Sequence, residues 1–177
     1  MTSPEASIEI VAYDPSWPAR FDEERDALRH VLAPWLAGPI EHIGSTAIPG
    51  LAAKPVIDIM AAVGTLARSA PAIEAAAALG YCYFPYKAHL EHWFCKPSPR
   101  YRTHHLHLVP VGSPQWIGPI AFRNYLRTHL ETASEYERLK RRLADAFKFD
   151  REAYTAAKAP FIEATTEQAI ASGYAIR

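Results

Sequence analysis

An apolar run from Val56 to Val63 is broken by one carboxylate, Asp58, and no other stretch restricts the fold of this chain as strongly. Burying an unpaired carboxylate is so costly that a strand containing one is expected to bring it to an opening or a partner. Upstream, Ile40 to Ile43 reads as a short strand, followed by a Gly44-Ser45 turn and a loop of small residues that carries Lys54. Asp58 is therefore expected at a strand end that opens onto a cleft.

The rest of the chain arranges itself around that unit. Ile8 to Tyr13 reads as an edge strand or docked arm, stopped by Pro15 and Pro18. From Trp17 to Val31 apolar residues recur at helical spacing against a charged face of Asp22, Glu23, Glu24, Arg25 and Asp26, and Trp35 to Pro39 is expected to turn the chain into the first strand. Leu66 to Leu79 is Ala-rich and predicts one helix, ended by Gly80. Tyr81 to Tyr86 and Glu91 to Lys96 read as aromatic-rich strands of a hairpin. In the strand from His104 to Val109 the alternation puts Leu106 and Leu108 on one face and His105 and His107 on the other. The last third is helical. One helix follows Ser113-Pro114, with Gly118-Pro119 bending it or delaying its start. A second runs from Glu131 to Phe147, with Tyr136, Leu139 and Leu143 inside and Lys140 outside, and a third from Asp150 to about Ala171. The predicted class is α+β: one domain spanning residues 1–177, a mixed sheet flanked by helices with a helical C-terminal third.

Nineteen basic and nineteen acidic residues cancel, so no overall field draws the chain to nucleic acid or an anionic membrane, and DNA is not an expected partner. The N-terminus lacks a basic-then-apolar leader, no run approaches the ~18 apolar residues of a membrane span, and the two cysteines, Cys82 and Cys95, lack CxxC spacing. Together these predict a cytoplasmic protein with reduced thiols.

Two constellations suggest chemistry. A glycine followed by a hydroxyl residue allows close backbone approach to phosphate, and an Asp on the neighbouring strand can hold a divalent cation, so Gly44, Ser45, Thr46 and Asp58 are candidates. The plain alternative is a tight turn with an Asp bonded to nearby backbone. His105 and His107 on one strand face can bind metal, shuttle a proton or contact phosphate. Lys54, Arg100, Arg102, Arg123, Arg127 and Lys158 are candidate anion clamps, each also readable as an exposed charge. His89 and Glu91 alternate correctly to join a metal site, and read more simply as two exposed polar residues of the hairpin.

Four segments, His42 to Ile59, Arg102 to Val109, Phe122 to Arg127 and Tyr154 to Ile162, resemble the GrpB-like family, whose members have a nucleotidyltransferase-type fold. The resemblance extends from Val11 to about Glu163. It implies that Gly44-Ser45 holds the phosphates of a nucleotide and that Asp58 holds a divalent metal, Mg or Mn or else Zn; Thr46, Lys54, Arg102 and Arg123 are candidates to join the phosphates, and strand parity puts His105 and His107 near the place of a third acid. The implied activity is nucleotidyl or phosphoryl transfer to a small molecule. The alternatives are a catalytically inert nucleotide- or coenzyme A-related binding module, since related domains occur fused to dephospho-coenzyme A kinase, and a metal-dependent enzyme built on the histidine pair. The chain departs from the pattern at Met60, where the second carboxylate would share the strand face of Asp58.

Overall fold

Strand β2, Ile57–Val63, lies inside a five-stranded sheet and is almost wholly buried except at Asp58. The computed structural model describes residues 7–175; the residues at the extreme N-terminus on which the reading of no leader rests lie outside that range. The sheet order is β1-β2-β5-β4-β3, with β1 Leu36–Ile43, β3 Cys82–Phe84, β4 His92–Pro97 and β5 Arg102–Pro110. Only the β2–β5 pair is parallel, which makes the sheet mixed as the α+β reading requires. In that pair Asp58 stands beside His105 and Met60 beside His107.

The face carrying Ile57, Ile59, Ala61 and Val63, continued by Leu106, Leu108 and Phe94, packs on helix α1 (Trp17–Leu32) through Trp17, Phe21, Leu28 and Leu32. Trimming Leu28 or Leu106, each 0% exposed, to Ala should destabilise the fold by about 2–5 kcal/mol. Predicted as one helix, Leu66 to Leu79 forms two short ones, α2 Leu66–Ser69 and α3 Ala72–Ala77, because Pro71 has no N–H to continue the ladder. Of the expected turn at Trp35 to Pro39 only Trp35 lies in a turn, and β1 already starts at Leu36. Gly38 and Pro39 are tolerated there because β1 is an edge strand, and its register slips between Leu36 and Ile40.

The opposite face is covered at one end by helix α4 (Pro114–Thr128), whose Trp116 and Ile120 pack on Ile43, Met60 and Val109. Ser113 caps this helix, and Pro119 lies inside it without delaying its start. Helices α5 (Leu130–Ala146) and α6 (Arg151–Ala171) complete the layer, with Tyr136, Ala133 and Ala169 joining Phe122, Tyr125 and Leu126 of α4. Asp150 caps α6 by accepting from Ala153 N at 2.9 Å. The N-terminal segment is a docked arm: Val11 bridges Ala53, and Ile8 N donates to Lys148 O at 2.8 Å. Cys82 and Cys95, far apart in sequence, face each other across β3 and β4 as free thiols. Among the described residues no helix is long and apolar enough to cross a membrane.

Candidate functional site

The turn between β1 and β2 is held hard against the acid it was expected to serve. Gly44 has φ +70°, and a Cβ added there would lie 3.0 Å from both Cβ and Cγ of Asp58. Only glycine meets both demands. Asp58 reaches solvent, with its side chain 29% exposed, while its Oδ1 accepts from His105 Nδ1 at 2.8 Å. Burial pushes this carboxyl up, but the His105 hydrogen bond and the charges of His105, His107 and Lys54 outweigh it and hold Asp58 below its ordinary value. Burial pushes His105 below the usual imidazole range against the pull of Asp58. With Nδ1–H on the carboxylate, Nε2 is its lone-pair nitrogen, and it is buried with no partner.

Three lysines surround this corner. Lys140 Nζ donates to Ser45 Oγ at 3.0 Å and to the carbonyl of Ala52, and sits 4.8 Å from the centroid of the Tyr136 ring. Lys54 and Lys158 share one ring: their Nζ atoms lie 5.0 and 4.4 Å from the centroid of Tyr154. Burial lowers Lys140 to about 7, and the nearby positive charge of Lys158 pushes the same way. Burial, then Lys54, lowers Lys158 to about 8, and the charge of Asp58 opposes them. Neither Lys140 nor Lys158 forms an ion pair with a carboxylate among the described residues. Glu137 and Asp58 oppose these shifts through space, but burial outweighs them.

The second histidine does not join the first. His107 Nδ1 pairs with Glu91 Oε2 at 2.6 Å, so each imidazole has its own carboxylate. Burial would lower His107, but the Glu91 hydrogen bond and charge raise it above the ordinary value, and Glu91 itself is held low by the same bond against its burial. Among the described residues no group of three or more His, Cys, Asp or Glu side chains is arranged to hold a metal ion. Met60 is 1% exposed and packed among apolar residues. The residues present therefore do not fit the two-metal arrangement that the fold implies.

Other expected ligands have structural duties. Thr46 is 1% exposed; its hydroxyl donates to Val56 O at 3.1 Å and so accepts from His42 Nε2 at 3.0 Å. Burial lowers His42 to about 4, which keeps it neutral in that role. Arg123, expected to clamp phosphate, is 7% exposed and bonds Glu41 at 2.6 Å and His42 O at 2.7 Å. Arg127 donates twice to Ala47 O. These arginines line a cavity of about 370 Å³ with Tyr13, Phe21, Glu41 and His42, and neither Asp58 nor any lysine lines it. Arg102 donates to Pro99 O at 2.9 Å and lies 5.2 Å over the Trp93 ring. Lys140, expected outside its helix, is 2% exposed. It lies four residues after Tyr136 on the buried stripe of Ala133, Tyr136, Lys140 and Ala144, the one signal that places it inward.

Comparison with known proteins agrees with this architecture. The family profile described as GrpB protein matches residues 7–168. A UPF0157 protein of Pseudomonas aeruginosa is 36% identical over 170 residues, covering 93% of this chain and 69% of that protein. A UPF0157 protein of Bacillus subtilis is 34% identical over 166 residues, and there the chain spans 48% of the relative's length. The crystal structure of conserved protein GrpB from Enterococcus faecalis superposes with a TM-score of 0.84 at 32% identity, covering 93% of this chain and 98% of that one. A dephospho-CoA kinase of Mycolicibacterium paratuberculosis is 27% identical over 184 residues, with 88% of this chain and 44% of that protein aligned. The GLD-2/RNP-8 complex (TM-score 0.56, 11% identity, 85% of this chain and 60% of that one) shares the fold. So does the Cid1 poly(U) polymerase (TM-score 0.54, 11% identity, 84% and 49%).

Proposed function

The chain belongs to the GrpB family and has a nucleotidyltransferase-like fold, and from the charge around Ser45 we propose that it binds a phosphorylated nucleotide-type ligand there. The observation that carries this reading is Lys140 on Ser45 Oγ, flanked by Lys54 and Lys158 across Tyr154, beside a glycine turn with no room for a side chain. In this reading the backbone of Gly44-Ser45 approaches the phosphates, and the ammonium groups take up their charge.

The kinase relative makes dephospho-coenzyme A a probe worth placing beside nucleoside triphosphates. The test is a thermal-shift panel of ATP, UTP, dephospho-coenzyme A and coenzyme A. A ligand at 100 times its Kd should add about 2.7 kcal/mol of stability, a shift plainly visible in such a panel. A shift that Lys158→Met reduces supports the site. The absence of a shift with every one of them overturns it.

A further inference from the structure

The fold implies a divalent cation beside Asp58, and four features stand against one. Asp58 Oδ1 already accepts from His105 Nδ1 at 2.8 Å. The carboxylate is pressed against Gly44, where even a methyl group would not fit. The position for a second acid on this strand face is Met60, 1% exposed in an apolar cluster with Ile43, Val109 and Ile120. The imidazole beside Met60, His107, is occupied at Nδ1 by Glu91. Magnesium demands near-octahedral oxygen ligands, of which this corner supplies one encumbered carboxylate.

Three lysine amines stand where they can supply the charge a metal would bring. Lys140 reaches Ser45, and Lys54 and Lys158 converge on Tyr154, with Asp58 inside the electrostatic reach of the latter two. Ammonium groups at these positions repel an incoming dication and attract a bare polyphosphate. The desolvation of Lys140 and Lys158 was incurred when the chain folded, so an arriving anion finds cations already stripped of water and oriented.

We infer that this site binds its phosphorylated ligand without a divalent cation, the ammonium groups of Lys54, Lys140 and Lys158 neutralising the phosphates in the metal's place. The inference rests on the ligand reading above and specifies the form of ligand recognised: the metal-free anion in preference to its magnesium chelate, which carries less negative charge.

The experiment is calorimetric titration of the full chain with inorganic tripolyphosphate and with ATP, first in EDTA and then in excess Mg²⁺. The expected result is binding in EDTA that is as tight as in Mg²⁺ or tighter. Lys158→Met should weaken it in EDTA by about tenfold, corresponding to loss of one charge-assisted contact, with no fall in melting temperature. Lys140→Met should weaken binding too, but with a loss of stability because its Nζ also bonds Ala52 O, so Lys158→Met is the variant that remains interpretable if Lys140→Met misfolds. Binding that appears only with Mg²⁺ overturns the metal-free inference and leaves the ligand reading standing. Failure of tripolyphosphate and ATP to bind under either condition, with no shift in the thermal panel above, overturns both. Undiminished binding by Lys158→Met in EDTA overturns the lysine assignment.

Discussion

Two groups of cations flank the segment from Gly44 to Ala52, and they are satisfied to very different degrees. On one side Arg123 and Arg127 are committed to Glu41, His42 O and Ala47 O. On the other, Lys140 meets a hydroxyl and a carbonyl, Lys158 a tyrosine ring, and neither meets a carboxylate among the described residues. Planar, forked guanidinium groups suit a permanent brace of backbone carbonyls, and burial scarcely threatens their charge. Ammonium groups lose their protons when buried without counter-charge, and these two have moved to about 7 and about 8. The arginine side is built to hold the turn. In the proposed reading the lysine side takes up charge when an anion arrives.

The largest effect belongs to the turn that joins the two sides. Gly44→Val puts a β-branched residue at φ +70° and a side chain into Asp58. Backbone strain alone should remove about 1–3 kcal/mol of stability, and anion binding should be abolished; urea unfolding and calorimetry read the two effects separately. Retained binding would mean that close backbone approach is not used.

Next comes the crossed comparison. Lys158→Met should weaken tripolyphosphate binding by about tenfold without loss of stability, since it removes a poorly compensated charge. Arg127→Met should do the reverse, costing about 1–3 kcal/mol through the abandoned Ala47 carbonyl while changing affinity less than about threefold. If both variants behave alike, the two sides are not distinct.

A pH series sharpens the contrast. Lys158, lowered to about 8, loses its proton between pH 7.5 and 9 in the free protein while Lys54, Lys140, Asp58 and Tyr154 stand around it. Phosphate esters are fully ionised there, above a pKa of about 6, so ATP affinity should fall about fivefold across this span, and binding should take up protons. In Lys158→Met the slope should flatten, and a slope unchanged from wild type would contradict the assignment.

The smallest effect separates the two histidine dyads. His107 is raised above its ordinary 6.5, so its stabilisation is complete below that value and lost as pH rises through its folded pKa. Glu91 is lowered from 4.5, so its contribution holds above that value and fades as pH falls through its folded pKa. The dyad therefore contributes most between those limits. His105 and Asp58, both lowered, contribute most on the neutral and alkaline side. Replacing His107 by Gln should thus cost more at pH 5.5 than at pH 8.5, by about 0.5–1 kcal/mol in chemical unfolding. Equal costs would show that Glu91 does not raise His107.

What was legible in the sequence follows from periodicity. The strand through Asp58, the helix from Trp17 and the opposite faces of Leu106 and His105 are all short-range patterns, and the structure contains them. The partner of His107 was not fixed by spacing, because Glu91 reaches it only through the β4–β5 register. Lys140 was read as outside because lysine usually is, although its place on the Tyr136 stripe pointed inward. Arg123 and Thr46 resembled ligand contacts because their chemistry suits anions. Only the fold shows that neighbouring carbonyls and Glu41 already use them.

The most direct measurement is a crystal structure of the protein grown with inorganic tripolyphosphate in EDTA. Phosphate density bridging Ser45, Lys54, Lys140 and Lys158, with Asp58 still bonded to His105, is the result predicted. Density in the cavity lined by Arg123 and Arg127, or none at the lysines when the titration shows binding, would contradict it.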